Sequence, residues 1–296
     1  MTGKRSVAAI LSIAIVMVLA ACNSDPTATP TATATPKTTA TATNAPQPTP
    51  SAAPMLGPTP TSTAMAIPTA TATPTIPPIP TPAPLPGEPR IIVLGPSKDN
   101  TLYQSNVGNI SNGSGQHIFV GNTNAGNARR GVISFDVAGV VPAGATIISA
   151  ELTLNMSRST SPTSTIELHA FIADWGEGAS NAMSNEGNGT APAAEDATWV
   201  HRMFNSVLWQ TPGGDFSPLI SALVSVGDSS RYTWDSTGEM VADVQGWIDD
   251  PSTNFGWLIL GNETTSRTTK RFDSKESPTA GNRPTLTIIY EFPAEN

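Results

Sequence analysis

The chain has 296 residues, of which only 13% are charged, with 28 prolines, one cysteine and a net charge of −8. A net negative chain lacks the clustered lysines and arginines that phosphate binding requires, so we expect no nucleic-acid partner. One cysteine excludes a disulfide scaffold and a thiolate zinc site, because both need cysteines in pairs. Eighteen of the prolines lie in residues 26–89, whereas every aromatic residue lies at or beyond Tyr103. A folded core is therefore expected only in the second part of the chain.

The N-terminus has the pattern of a secretion signal. Lys4 and Arg5 precede an uncharged run over residues 7–21, which is short for a bilayer span of about 20 residues. The run ends in Leu-Ala-Ala-Cys at residues 19–22 and resembles the bacterial lipobox, which implies cleavage before Cys22 and lipidation of that cysteine. The alternative is an ordinary secreted protein with an incidental cysteine. We therefore expect residues 1–21 to be a lipoprotein signal peptide.

The predicted location follows from this signal. A lipidated Cys22 would anchor the protein through acyl chains alone, without a transmembrane helix. We expect the extracellular face of a bacterial membrane. In proteobacterial lipoproteins an aspartate after the cysteine directs retention in the inner membrane, and this chain has Asn23 there. In a cell with two membranes, this resemblance implies the outer one.

Residues 22–89 have the composition of a spacer. Residues 26–89 contain 18 prolines and 18 threonines but no aromatic residue. Such a segment buries too little apolar surface to offset the entropy of ordering it. Proline-rich chains also favour the extended polyproline II conformation. The sequence therefore predicts a disordered Pro/Thr-rich stalk that holds the following domain away from the membrane.

The remaining 207 residues, 90–296, carry a net charge of −9 and have the length of a single domain. Apolar and polar residues alternate over 147–156, 133–137, 166–172 and 286–292, which is typical of half-buried antiparallel strands. Short apolar runs and Asn-Gly or Gly-Asn pairs add further strands and turns. About ten strands are predicted, which favours an all-β antiparallel β-sandwich or jelly roll.

One segment departs from this alternation. Ser236 and Glu239 have the spacing of a capping box. Met240, Val244 and Trp247 follow at helical spacing until Pro251. The pattern predicts one short helix with Trp247 on its buried face.

A series of short motifs runs along the domain. In order they are DNTL at 99–102, HIFVG at 117–121, RR at 129–130, SFD at 134–136, PAGATI at 142–147, AELTL at 150–154, DWGEG at 174–178, ATW at 197–199, PGGDF at 212–216, NFGWL at 254–258, KRFDSKE at 270–276 and RPTLT at 283–287. Together they resemble the DNRLRE domain, a family grouped with carbohydrate-binding module family 96, over about residues 94–290. The resemblance implies an extracellular β-sandwich that binds glycans. Thr101, Tyr103 and Gln104 stand where the motif that names the family has Arg, Arg and Glu.

Sugar binding on a β-sandwich commonly uses an exposed aromatic ring on which the sugar stacks. The candidates are Trp175, Trp199, Trp209, Trp234 and Phe171. The alternative is that the indole rings belong to the core, because large rings are usually mostly buried. Phe171 lies on the strand face opposite Ile166 and Leu168, so either a loop covers that face or the ring is exposed.

An acidic glycan, such as a uronate polymer, would need cations to meet its carboxylates. Arg129, Arg130, Lys270 and Arg271 are the candidates. The alternative pairs them with local acids, for instance Arg271 with Asp273 or Glu276. The net charge of −9 on the domain opposes long-range attraction of polyanions, so a neutral polysaccharide is favoured as the partner.

Oxygen ligands for a structural Ca²⁺ are abundant in the predicted loops. The candidates are Asp99, Asn100, Asp174, Glu177, Asp196 and Asp215. Their spacing is not that of a dense calcium loop, so scattered solvated acids are the alternative. The chain contains neither G-x-S-x-G nor H-E-x-x-H, and its three histidines are far apart in sequence. We therefore expect no catalytic residues and no enzyme.

Two functions follow from these observations. The first is a lipid-anchored surface module that binds polysaccharide without catalysis. The second is a structural or adhesive surface protein, whose sandwich mediates protein contacts or acts as a spacer. Burial of all six tryptophans would favour the second.

Overall fold

The computed structural model describes residues 87–159 and 161–292. The predicted signal peptide, Cys22 and the stalk up to residue 86 lie outside these residues. The described strands are β1 (Arg90–Leu94), β2 (Lys98–Tyr103), β3 (His117–Asn122), β4 (Ala128–Ser134), β5 (Thr146–Ser159), β6 (Ser164–Ala170), β7 (His201–Met203), β8 (Val207–Leu208), β9 (Ala222–Val226), β10 (Ser230–Trp234), β11 (Trp257–Leu260), β12 (Lys270–Asp273) and β13 (Thr285–Glu291). One α-helix, α1 (Gly238–Asp249), and three 3₁₀ helices, Met183–Asn185, Pro251–Thr253 and Ala280–Asn282, complete the described elements.

Eleven of these strands form one curled antiparallel sheet in the order β1-β13-β5-β12-β3-β4-β11-β6-β9, with β10 beside β5 and β2 beside β4. We call the layer of β1, β3, β5, β10, β12 and β13 the front sheet, and the layer of β2, β4, β6, β9 and β11 the back sheet. The two layers join where Gly121 and Asn122 of β3 pair with Arg129 and Ala128 of β4. The predicted all-β antiparallel sandwich with one short helix is confirmed.

The main core lies between the two sheets and follows the alternation of the strands. On β5, Leu152, Leu154 and Met156 are fully buried in it, and Ile166 and Leu168 of β6 face them from the back sheet. Alternation thus assigned these side chains to the correct face. It also placed Phe135 and Val137 in the core, although β4 ends at Ser134 before them. It failed at Ile148, which is exposed where the register of β5 and β13 shifts, and at the exposed Ile172 beyond the end of β6.

Helix α1 packs on the main core through Met240, Val244, Trp247 and Ile248. Its N-cap is Thr237, whose hydroxyl accepts the amide N–H of Met240 at 3.0 Å. The predicted capping box from Ser236 is therefore wrong by one residue. The Ser236 hydroxyl accepts the amide N–H of Ala150 on β5 instead. The side chain predicted to cap the helix is therefore hydrogen-bonded to the sheet. None of the described helices has both the length and the hydropathy to cross a bilayer.

A long connection, residues 171–221, leaves the end of β6 and returns to β9. It carries β7, β8 and one 3₁₀ helix. Its apolar side chains form a second core against the outward residues Leu102, Val132 and Leu258 of the back sheet. This connection decides which aromatic rings can reach solvent.

Candidate functional site

The aromatic rings proposed from the sequence as sugar platforms are all covered. Phe171, Trp175, Trp199 and Trp209 lie in the second core, and Trp234 lies in the main core. Their relative exposures are 3%, 1%, 9%, 5% and 0%, in that order. The loop that the sequence left as an alternative for Phe171 is the 171–221 connection itself. A ring with so little free surface offers no face on which a sugar can stack.

Hydrogen bonds and stacking explain why these rings are held inside. Trp175 donates its indole N–H to the Phe255 carbonyl, and Trp234 donates to that of Ile166. Trp209 donates to the Thr198 carbonyl at 2.9 Å and stacks on Phe171 with 5.5 Å between ring centroids. Because the polar atom of each of these rings has a backbone partner, burial is not opposed by an unsatisfied group. Trp247 and Trp257 are buried too, so no tryptophan is available as a platform.

Two of the predicted arginines stabilise the fold. Arg130 makes a two-pronged ion pair with Glu263 at 2.7 and 2.8 Å, and its guanidinium lies 4.7 Å from the centre of the Trp199 ring. Arg129 is buried over the ring of Tyr103 at 4.7 Å, and this burial lowers its pKa. Neither guanidinium is presented to a large ligand. Lys270 is fully buried and donates to Ser159 and to loop carbonyls.

Arg271 is the exception, because it lines a groove on the outer face of the front sheet. The groove has a volume of about 510 Å³. Its floor is formed by β3, β5 and β12, which contribute Phe119, Arg158 and Arg271. One side is formed by residues 183–187 of the long connection, which we call the wall. His117 lies at the junction of floor and wall.

A β-bulge brings Arg158 to this face. On β5, the inward positions are the even-numbered residues from Ala150 to Met156. Continued alternation would turn Arg158 inward as well. Instead the register shifts so that Phe272 pairs with Met156 while Arg271 pairs with Arg158, which leaves Ser157 as an extra residue. A bulge re-aims the side chains that follow it, so Arg158 and Arg271 lie side by side on the outer face.

The two guanidinium groups have no acidic partner among the described residues. No carboxylate oxygen there lies within 4.0 Å of either one. The expected pairing of Arg271 with Asp273 or Glu276 is therefore wrong. Asp273 accepts a hydrogen bond from Asn155, and Glu276 pairs with Lys275. Within residues 87–159 and 161–292, the Arg271 guanidinium donates only to the Ser157 hydroxyl, at 3.0 Å, so most of its hydrogen-bonding capacity is unused there.

The wall supplies apolar surface opposite the arginines. Met183 is 74% exposed and has a backbone φ of +54°, a region that a methionine rarely adopts. The side-chain oxygen of Asn181 accepts the Met183 amide N–H at 2.8 Å and stabilises this conformation. Backbone strain of this kind is found mainly where the surrounding structure requires it, often at binding sites. The groove therefore combines two free guanidinium groups, hydroxyl groups and an exposed thioether.

A second cluster of polar residues lies where the sequence suggested calcium ligands. Carboxylate oxygens of Asp99, Glu177 and Glu276 lie within 4.8 Å of one another. Burial raises the pKa of Asp99 well above its ordinary range, and the charge of Glu276 adds to this. Lys275 contacts Glu177 at 3.1 Å and Glu276 at 2.9 Å. An ammonium group thus already lies among the three acids, and a Ca²⁺ at this position would compete with it.

The other residues suggested for calcium have structural partners, and the carboxylates among them lie outside this cluster. Asp174 pairs with Lys98 at 2.7 Å, and Asp215 accepts the amides of Gln210 and Thr211. Asp196 accepts the amide of Ala193. The amide group of Asn100 donates to Ser111 and to the Glu177 carbonyl. Of the five acidic candidates, only Asp99 and Glu177 have carboxylates in this cluster, and Glu276 was not suggested by the sequence.

Sequence reasoning found Arg271 but missed the rest of the groove. Arg158 was missed because alternation along β5 predicts that it points inward, and the bulge reverses this. The wall was missed because it is far from β12 along the chain. The sequence offered one signal for the wall, which is that Met183 stands alone in a polar segment. A single methionine does not indicate a groove, because it can equally be a buried residue.

No protein-family model matches the chain, and no curated protein matches it. The resemblance to the DNRLRE domain therefore stays a prediction that depends on the motifs alone.

Proposed function

We propose that this protein is a lipid-anchored surface module that binds polysaccharide without catalysis, with the groove on the front sheet as its ligand site. The observation that carries the proposal is the pair Arg158 and Arg271, two neighbouring guanidinium groups without an acidic partner among the described residues. Two neighbouring guanidinium groups without an acidic partner can pair with the carboxylates of a ligand. A groove of about 510 Å³ can hold a segment of a polymer.

This pair changes the preferred ligand from a neutral to an acidic glycan. A guanidinium binds a carboxylate through two parallel hydrogen bonds, and each charge-assisted bond is stronger than a neutral one. The domain charge of −9 acts against long-range attraction, but charges are screened beyond about 8 Å at physiological ionic strength. A local basic groove can therefore bind uronate residues, while the exposed side chain of Met183 contacts the apolar face of a sugar ring.

The test is a glycan array probed with the full-length protein in detergent, with and without chelator. We expect retention on uronate-containing glycans and weaker retention on neutral ones. The matched variants are Arg158→Gln with Arg271→Gln, and Arg283→Gln as a control, because Arg283 is exposed and lies outside the groove. Equal retention of all variants would show that the groove is not the ligand site.

The burial of all six tryptophans favours a second candidate function. A sandwich without an exposed indole ring suits a spacer or an adhesive module that contacts other proteins. In that case no glycan on the array retains the protein. Beads coated with the protein would then adhere to cells equally well with or without Arg158 and Arg271, whereas glycan-dependent adhesion would be lost in the double variant.

A further inference from the structure

His117 lies between two acidic side chains at the edge of the groove. Its Nδ1 is 2.5 Å from Oε2 of Glu186 on the wall, and its Nε2 is 3.4 Å from Oδ1 of Asp273 on β12. The side chains of Glu186 and Asp273 are only 9% and 6% exposed, and that of His117 is 20% exposed. The imidazole ring therefore connects the wall to the floor of the groove.

Glu186 is the only wall residue with a charged side chain, and it has little freedom to move. Its Oε1 accepts the Gln116 amide N–H at 2.9 Å, and its backbone carbonyl accepts the Tyr103 hydroxyl at 2.6 Å. Asp273 is held on the other side by the amide group of Asn155 at 2.6 Å. Both carboxylates are thus fixed near the same ring, that of Glu186 at hydrogen-bonding distance and that of Asp273 at the longer distance of an ion pair.

Only the protonated ring carries an N–H on both nitrogens and attracts both carboxylates as a cation. A neutral imidazole carries one N–H, so one ring nitrogen would present a lone pair to a carboxylate. The bond to Glu186 would then have one ionised partner, the carboxylate, instead of two. The charged groups around this ring are Glu186 from the wall and Asp273 from β12, which contact it, and Arg271 from β12 and Arg158 from β5, which line the same groove. The Phe119 ring lies 6.4 Å from it. The net charge of these groups and the ring falls from +1 to 0 when the ring loses its proton.

We propose that His117 is a positioning residue of the groove, whose protonated ring bridges Glu186 and Asp273, fixes the wall against the front sheet and strengthens the binding of acidic ligands at low pH. Its effect on ligands rests on the proposed function, whereas its effect on the wall does not. Deprotonation weakens the bridge and removes one positive charge, so the wall loosens and affinity falls as the pH rises.

Two measurements test the bridge in the full-length protein in detergent. The first is amide hydrogen exchange of the wall and of Gln116 without ligand, between pH 5 and 8, corrected for the intrinsic pH dependence of exchange. The second is calorimetric titration with a galacturonate tetramer, whose carboxylates stay ionised over this range. The variant is His117→Gln, which is neutral at every pH, and the control is His201→Gln, because His201 lies outside the groove.

We expect protection of the wall to decrease as the pH rises, and affinity for the tetramer to fall about tenfold, the factor that 1.4 kcal/mol produces. Both trends should persist in His201→Gln and vanish in His117→Gln. Protection of the wall that does not change with pH in the parent protein overturns the proposal, whether or not the tetramer binds. If protection changes with pH but no tetramer binds at any pH, the bridge stands and only the proposed function fails.

Discussion

Arg158 and Arg271 differ from the other arginines that the sequence suggested in what surrounds them. Arg129 and Arg130 lie on aromatic rings inside the fold, and Arg130 has Glu263 as its partner. In the described part of the chain, neither groove arginine has an acidic partner, and Arg271 donates to a serine hydroxyl. Arginine side chains thus stabilise the fold at two positions and lack an acidic partner at two others. The residue type alone does not distinguish the two cases.

Asp99 allows a prediction on pH dependence. Its pKa is raised by burial and by the charge of Glu276, so its ionised form destabilises the folded state. The stability that the protonated form gives is fully present below the unfolded-state pKa, which is about 3.9, and is lost as the pH rises through the folded-state pKa. Asp99→Asn should therefore raise the free energy of unfolding at pH 7, and the gain should shrink as the pH falls towards 4.

Urea denaturation at several pH values measures this difference. Asn can still accept the Lys275 amide that Asp99 accepts now, so the variant should fold. The same experiment with Ca²⁺ or chelator tests the cluster as a cation site. A parent protein that is stabilised by Ca²⁺, with the effect lost in Asp99→Asn, would contradict the interpretation that Lys275 is the cation of this cluster.

Trp209 tests whether a buried ring stabilises the fold or binds the ligand. It is 5% exposed, stacks on Phe171 and donates to the Thr198 carbonyl. Trp209→Ala should lower the free energy of unfolding by about 3–5 kcal/mol, as is usual for a large ring removed from a core. Chemical denaturation gives the value. Unchanged stability together with lost glycan retention would instead identify Trp209 as a ligand platform.

At the scale of elements, the register of β5 determines the groove. Alternation predicted the inward face of this strand correctly from Ala150 to Met156, because burial on one face enforces a period of two. The bulge at Ser157 was not predictable, since it depends on pairing with β12, more than a hundred residues away. The wall depends in the same way on contacts between Glu186 and β3 that no local pattern encodes. The fold class was therefore readable from the sequence, and the candidate site was readable only at Arg271.

The start of α1 gives a prediction at this scale. Thr237 caps the helix, whereas Ser236 bonds to β5. Thr237→Ala should lower the free energy of unfolding by about 1 kcal/mol, the usual cost of losing an N-cap. Glu239→Gln should change it little, because Glu239 completes no capping box. A larger loss for Glu239→Gln than for Thr237→Ala in thermal or urea unfolding would favour the capping box after all.

For the whole molecule, the composition divides the chain into a lipobox-like leader, a Pro/Thr-rich segment and an acidic β-domain. The proposed function needs the leader to anchor the protein at the cell surface. Radiolabelled palmitate should be incorporated into the parent protein and not into Cys22→Ser, because acylation requires the thiol. A parent protein that incorporates no label would contradict the surface anchor.

The central claim, that the groove binds an acidic glycan, is tested most directly by calorimetric titration of the full-length protein with a galacturonate tetramer and with its neutral galactose counterpart. We expect the acidic tetramer to bind more tightly. Each of Arg158→Gln and Arg271→Gln should weaken it about tenfold or more, because a hydrogen bond to a charged group contributes about 1.5–3 kcal/mol. Arg283→Gln should leave it unchanged. Equal affinity of the parent protein and the double variant, or no binding of either tetramer, would contradict the account.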